Sequence, residues 1–489
     1  MVLPLIIVES EMPMSTKSHP RPTPAQREEL GKMAREAAPV EQNAQFRPSA
    51  ERADPVAILE EQARTRVPEL VPVRYGRMLV SPFTFFRGAA AGMAADLAGT
   101  PDSGLTVQLC GDAHLSNFGM FASPERSLVF DVNDFDETHP GPWEWDVKRL
   151  AASVEIAGRD NEFGPKKRRK AVLAVARGYQ QGMAEFAGLG QLDLWYARAD
   201  LYEQRDTIRA ELTKARRKTF DKALAKARGR TSARAFGKFT GVVDGERRIL
   251  ASPPLIMPVR DLLPDLERAE FEELFRLLLS DYRRTLQSDR RHLLDTFEFV
   301  DMARKVVGVG SVGTRCWIVL MRGRDADDVL FLQVKEAQRS VIAEYGGRPA
   351  PEGDQVGDQV GEGERVVHGQ RLMQAVSDIF LGWQTAEGID GRQRDFYVRQ
   401  LADWKGSVVV EGLSAPELAA YGRLCGRTLA RAHARTGDRI AIAAYLGQDE
   451  AFPEAIADFA ALYADQNERD YAALQEARLA GRIPVESGL

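Results

Sequence analysis

Two apolar runs in this chain end in acid. Residues 105–112 read LTVQLCGD and residues 127–134 read SLVFDVND. Each has the length and composition of a buried strand. Carboxylates at buried strand ends are costly unless charge or hydrogen bonds meet them. CGDAHLSNFG (110–119) follows the first run, and DFDE (134–137) closes the second. Asp112, His114, Asn117 and several acids thus crowd into fewer than thirty positions, and any fold for this chain must account for them.

The rest of the chain leaves room for a large protein. It has 489 residues, 44% of them hydrophobic, enough for more than one domain-sized unit. A net charge of −5 argues against a nucleic-acid binder. Cys110, Cys316 and Cys425 are odd in number and widely spaced, which disfavours a disulfide framework or a zinc site. The opening VLPLIIV is too short to span a bilayer and lacks a cleavage site. A soluble, cytoplasmic chain without membrane contact is therefore expected.

Periodicity divides the chain into four stretches. Residues 1–50 read as a mobile tail. Residues 51–300 read as a mostly helical unit, with 54–97 as a helix, an extended stretch and a second helix. The basic run 214–230 fits a solvated helix face or an anionic partner. Residues 301–412 are β-rich: strand, glycine turn, strand, then DVLFLQVKEA (328–337), whose alternation puts Val329, Phe331, Gln333 and Lys335 on one face. GDQV occurs twice in succession within 346–364 and marks a flexible loop. Leu372, Met373, Val376, Ile379, Phe380 and Trp383 have helical spacing. FYVRQL (396–401) reads as a strand, and residues 413–489 as helices.

Gly308, Gly310 and Gly313 form GxGxxG around Ser311. The apolar, β-branched residues after Gly313 predict a strand, so the motif is a hairpin loop able to cradle phosphates and not a dinucleotide turn. An ordinary glycine-rich hairpin is the alternative. Lys335 ends the third strand, where it can pair with nucleotide phosphates or reach into water. Asp112 is a candidate general base. Asn117, Asp134 and Asp136 are candidate Mg²⁺ ligands, being hard oxygen donors; Asp131 competes with Asp134 for that role. The same residue types also cap turns. His114 fits loop orientation better than metal ligation. Arg74, Arg77 and Arg87 are candidate anion contacts or members of structural ion pairs.

GDAHLSN resembles the catalytic loop of aminoglycoside-phosphotransferase-type kinases, with Cys110 where a leading His would stand, and NDFDE resembles their metal-binding segment. PWEWDVKRL (142–150) resembles the helix start that follows, which implies that Asp146 braces the catalytic loop. Over roughly residues 50–470 the chain resembles the uncharacterised bacterial domain-of-unknown-function 2252 family, on RYGRMLVSPFTFFRG, GDAHLSNFG, NDFDETHPGPWEWDVKRLAAS, EGERVVHGQRLMQAVSDIFLGW and FYVRQLADWKGS.

The motif order is the reverse of a kinase's, with the glycine hairpin after the catalytic-type loop. YGRLCGRTLARAHARTGD (421–438) resembles the helix that leads into that loop. Read from 301 to the end and then from about 100, the elements fall into kinase order. The resemblance therefore implies an α+β, bilobal, protein-kinase-like fold in circular permutation, with a small antiparallel β lobe and a mostly helical large lobe. It implies ATP, Mg²⁺ and a hydroxyl-bearing small molecule as ligands. Glu364 and Gln374 are the candidates to hold Lys335. Nucleotidyl transfer, a non-catalytic nucleotide-binding module, and a metal-dependent hydrolase built on Asp112, His114 and Asp134 are the other readings.

Overall fold

The apolar runs that end in acid are strands. In the computed structural model, which describes residues 22–201, 214–229, 231–243, 245–265, 268–348, 360–388, 390–401 and 403–489, they are β1 (Thr106–Leu109) and β3 (Leu128–Val132). β3 pairs antiparallel with β2 (Phe118–Ala122), and β1 with β4 (His139–Pro142). A short β5 (Ala199–Asp200) lies on the free edge of β3. β6 (Thr240–Val243) and β7 (Glu246–Ile249) form a separate hairpin.

The larger sheet has six strands: β8 (Ile256–Pro258), β9 (Glu298–Lys305), β10 (Cys316–Arg322), β11 (Val329–Ala337), β12 (Gly382–Glu387) and β13 (Gln393–Gln400). Their spatial order is β12-β13-β11-β10-β9-β8, and every neighbouring pair is antiparallel. Alternation along β11 sorts its two faces. Leu330, Leu332 and Val334 join one core cluster with Tyr282 of the helix Arg268–Arg284. Phe331 packs on the opposite face with Ala235, Ile318 and Leu320. Further along that second face the register sets Gln333 beside Arg399 and Lys335 beside Tyr397. One face of the sheet is thus apolar at one end and polar at the other.

Helices build the remaining body. Those used below are α1 (Val71–Met78), α2 (Pro82–Gly88), α3 (Trp143–Asp160), α4 (Pro165–Ala187), α5 (Glu362–Met373), α6 (Ala415–Thr436) and α7 (Ala451–Leu479). Every residue of α3 from Trp143 to Gly158 is buried, so α3 is the central element of the largest core cluster. α4 and α6 cross at close range, because a Cβ at Gly426 would lie 2.3 Å from the Val175 carbonyl oxygen. The protein is mixed α+β with small antiparallel sheets.

Three expectations are corrected. From Thr23 onward the N-terminal stretch is not a tail: Thr23 and Gln26 form a capping box on the helix Pro24–Ala37. Gly31 of that helix packs against Ala441, where a Cβ would meet the Ala441 oxygen at 2.1 Å. Residues 71–97 have no extended stretch. Pro72 and Pro82 sit in first turns, and the Ser81–Thr84 capping box starts α2, so short helices run in series. The helix read from 372–383 lies earlier, as α5. It stops at Met373, and Asp378 then accepts the Phe380 and Gln400 N–H groups, turning the chain into β12. The GDQV repeat lies outside the described residues, apart from its final flank.

Candidate functional site

A crevice of ≈ 120 Å³ brings the two halves of the sequence together. Asp112, His114, Asn117, Asp134, Asp136 and Glu137 line one wall, and Gly308, Gly310 and Ser311 line another. The loop 306–315 joins β9 to β10 as a hairpin, with Gly308 (φ +65) and Gly313 (φ +89) in the left-handed region. Gly313 packs on the Arg66 stem and faces away from the acids.

Lys335 of β11 meets the acid wall. It is 2% exposed, and its Nζ lies 3.6 Å from Asp134 Oδ1 and in close ion-pair contact with Asp136 Oδ2. Burial works against the Lys335 charge, but Asp134 and Asp136 hold its pKa well above the ordinary value. Burial likewise raises Asp136, yet Lys335 more than offsets it and leaves Asp136 low, whereas burial, with Asp136 close by, leaves Asp134 high. Neither Glu364 nor Gln374 holds the lysine. Glu364 faces His368, and Gln374 donates to the Val132 carbonyl.

Further contacts tie the sheet to the segment after β3. Tyr397 Oη donates to Asp136 Oδ1 at 2.7 Å, and Arg399 donates to the Asn133 carbonyl at 3.0 Å. Arg365 on α5 donates to the carbonyls of Asp136, Gln338 and Thr138. Ser340 Oγ donates to the Glu137 carbonyl, and the Val341 N–H to Glu137 Oε2. Burial nonetheless pushes the Glu137 carboxyl up to about 7.

The loop after β1 is held from below. Asp146, in the first turn of α3, accepts the Cys110 N–H at 2.8 Å and the Gly111 N–H at 3.0 Å. His433 of α6 backs Asp146 at 3.1 Å, and the Tyr179 hydroxyl contacts the other ring nitrogen of His433 at 2.9 Å. Gly111 is in the left-handed region (φ +82), and a Cβ there would lie 2.2 Å from the Glu137 carbonyl oxygen. Only glycine lets the two acid-bearing segments approach this closely.

Asp112 Oδ1 meets the Arg149 guanidinium at 2.7 Å, and its Oδ2 is 3.6 Å from His114 Nε2. Burial raises the Asp112 pKa, against the pull of Arg149. His114 Nδ1 accepts the Ser116 N–H, and burial with Arg87 and Arg149 nearby keeps the ring neutral. His114 therefore orients the loop. Asn117 Nδ2 donates to the Asp112 carbonyl at 2.8 Å.

Asp131 faces away from the crevice, buried against Arg431 at 2.5 Å and accepting the Ala375 N–H. Asp134 is the acid that faces in, and its Oδ1 is buried without a hydrogen-bond partner. That orphaned oxygen, Asp136 and the Asn117 amide suit Mg²⁺, a hard cation that keeps water and phosphate oxygens in its shell. Among the described residues no group of three or more Asp, Glu, His or Cys side chains is placed to hold a metal ion.

Of the arginines expected to contact anions, Arg74 and Arg87 line the crevice. Arg77 instead donates to the carbonyls of Gly308 and Leu489. Arg66 lines the crevice too and donates to the Gly310 and Val312 carbonyls at 2.8 and 2.5 Å. Sequence reasoning missed Arg66, Arg149 and His433. ARAHAR in α6 held the one readable hint, since Arg431 and His433 are charged residues on a helix otherwise patterned for burial.

Fold and crevice together define an α+β protein with an acid- and arginine-lined cleft, set between a helical body and one face of an antiparallel sheet. The chain belongs to the bacterial family described as an uncharacterized protein conserved in bacteria, domain of unknown function 2252, which it matches over residues 66–477. No curated protein and no solved structure matches it. No described helix is long and apolar enough to cross a membrane.

Proposed function

We propose that this chain is an ATP- and Mg²⁺-dependent phosphotransferase acting on a hydroxyl-bearing small molecule, with a bilobal protein-kinase-like fold in circular permutation. One observation carries the reading: Lys335 of the sheet contacts Asp134 and Asp136, which line a crevice together with Asp112, Asn117 and the glycine loop. The order of elements supports it. From β9 the chain runs hairpin, lysine strand, helix α5, two strands and helix α6; β1, the Asp112 loop, the β2–β3 pair and the acidic segment complete a kinase-like series.

In this reading Asp112 Oδ2, the oxygen not held by Arg149, takes the proton of the acceptor hydroxyl. The hydroxyl oxygen bonds to the terminal phosphorus, the bridging P–O bond breaks, and ADP carries away the electron pair. Lys335 and the glycine loop hold the phosphates. Asp146, through the Cys110 and Gly111 N–H groups, keeps Asp112 in place. Mg²⁺ bound by Asp134, Asp136 and Asn117 supplies charge neutralisation for the phosphates. Positioning and electrostatics are most of what this reaction asks of a protein.

The Arg149–Asp112 ion pair favours one other reading, a nucleotide-binding module without transfer chemistry, because it ties up one oxygen of the proposed base. ATP labelled at the γ or α position, incubated with wild type or Asp112→Asn in the presence of cell extract, separates these readings. Transfer of γ label only, and only with Asp112, supports the phosphotransferase. Transfer of α label replaces it with nucleotidyl transfer. Tight Mg·ATP binding without transfer leaves the binding module.

A further inference from the structure

The wall opposite the acids carries three arginines that make no ion-pair contact with a described carboxylate. Arg66, Arg74 and Arg87 all line the crevice, and the Nε atom of each is buried with no hydrogen-bond partner. Arg74 is 0% and Arg66 8% exposed. Their other contacts are neutral. Arg66 donates to loop carbonyls, and Arg74 to the Gln62 side chain and the carbonyls of Leu59 and Gly88. No described carboxylate closes an ion pair with any of the three, whereas Arg149, beside them, is paired with Asp112. A buried cation with only neutral partners is expensive, and three in one wall repel one another. Burial lowers all three pKa values, that of Arg66 to about 10, although Glu137, Glu336 and Asp136 pull Arg66, and Glu411 and Asp112 pull Arg87, the other way.

The arrangement is held by the fold and not by a mobile loop. Arg66 pins the glycine loop through two carbonyls, and the Val67 N–H donates to the Gly313 carbonyl at 2.8 Å. Gly310 lies against the backbone of Arg87, where a Cβ would sit 3.1 Å from the carbonyl oxygen. The segment 62–90 therefore roofs the space between the glycine loop and Asp112. A ligand group entering there meets guanidinium groups on one side and Asp112, Asp134 and Asp136 on the other.

We infer that Arg66, Arg74 and Arg87 form a phosphate-binding subsite in this crevice, separate from the Lys335–Asp134–Asp136 cluster. A phosphate supplies a counter-charge in direct contact, which no described carboxylate provides, and a guanidinium is the donor that suits it. The group is either the terminal phosphate of the nucleotide or a phosphate carried by the acceptor. Only that choice of source rests on the phosphotransferase reading.

Inorganic phosphate titrated by calorimetry into the nucleotide-free full chain tests the subsite. Binding to wild type, roughly 10- to 100-fold weaker in Arg87→Gln and intermediate in Arg87→Lys, is the expected result. Arg87 is the least buried of the three, and thermal melts of both variants check that they fold. Phosphate that fails to bind wild type, or that binds well-folded Arg87→Gln as tightly as wild type, overturns the inference. A non-hydrolysable ATP analogue then identifies the source. If it displaces phosphate while ADP does not, the subsite holds the nucleotide's terminal phosphate; if phosphate binds the analogue-loaded protein unhindered, the acceptor brings its own. Wild type that binds phosphate but not Mg·ATP refutes the phosphotransferase reading and leaves the subsite standing.

Discussion

Lys335→Met removes a cation in ion-pair contact with both Asp134 and Asp136 and replaces it with a side chain of similar length. Removing one partner of a buried ion pair costs about 3–5 kcal/mol, mostly because the other charge is left uncompensated. The lysine is 2% exposed, but the Asp134 and Asp136 side chains are 29% and 27% exposed. Water therefore softens the loss, and about 3 kcal/mol at pH 8 is the expected deficit. Its pH dependence has a definite sign. In wild type Lys335 holds Asp136 below its ordinary value, so that carboxylate stabilises the fold above pH 4 and the benefit fades on acidification. In the variant both carboxylates titrate above their unfolded values, so the folded state takes up protons and the deficit shrinks from pH 8 to pH 5. Mg²⁺ supplies the missing charge by another route. A ligand at 100 times its Kd adds about 2.7 kcal/mol, and Mg²⁺ is expected to stabilise the variant more than wild type, where the ammonium competes for the same oxygens. Urea denaturation at pH 5 and pH 8, with and without Mg²⁺, reads all of this. A deficit that ignores pH, together with equal Mg²⁺ effects on both proteins, would show that lysine and carboxylates do not form the unit described.

Gly111→Ala forces a side chain into a left-handed conformation with a backbone oxygen 2.2 Å from its Cβ; the conformation alone costs about 1–3 kcal/mol, and a loss below 1 kcal/mol by chemical denaturation would contradict the geometry. Asp146→Asn weakens the acceptor of two N–H groups and of His433; hydrogen bonds to charged groups are worth about 1.5–3 kcal/mol, so the proposed phosphoryl transfer falls at least tenfold while circular dichroism stays unchanged. Lys148 is wholly buried, its Nζ over the Phe459 ring without a hydrogen-bond partner, with burial lowering its pKa to about 8. Protonation thus favours the unfolded chain, and stability gains about 3 kcal/mol as pH rises from 8 towards 10.5. In Lys148→Met this gain disappears, which parallel denaturation curves of the two proteins will reveal. Asp131→Ala leaves Arg431 buried and unpaired and costs about 3–5 kcal/mol, and Asp131→Leu combined with Arg431→Met recovers most of it.

Much of the crevice was legible because its residues lie at strand ends, where alternation breaks. β1 and β3 stop just before Cys110 and Asn133, the glycine motif falls between two β-branched runs, and the parity of β11 puts Lys335 on the face of Gln333. Reading failed where local patterns compete. VRYGRMLVSPFTFF has strand-like composition, but Pro72 just before it and Pro82 with the Ser81 cap start helices. Val376 to Trp383 has helical spacing, but Asp378 captures two N–H groups and turns the chain. Hydrophobic spacing does not register a side chain that accepts backbone donors.

The chain's own order settles which segments become strands and helices, where the acids, glycines and lysine stand, and that the charged groups end apolar elements, because these depend on neighbours a few positions apart. Which charge meets which was decided only in three dimensions. Arg149 on Asp112, His433 behind Asp146, Arg431 on Asp131 and the lysine on two carboxylates join positions 37 to 300 residues apart. A buried ion takes whatever counter-charge the packed elements bring within reach, and distance along the chain leaves no mark of that choice.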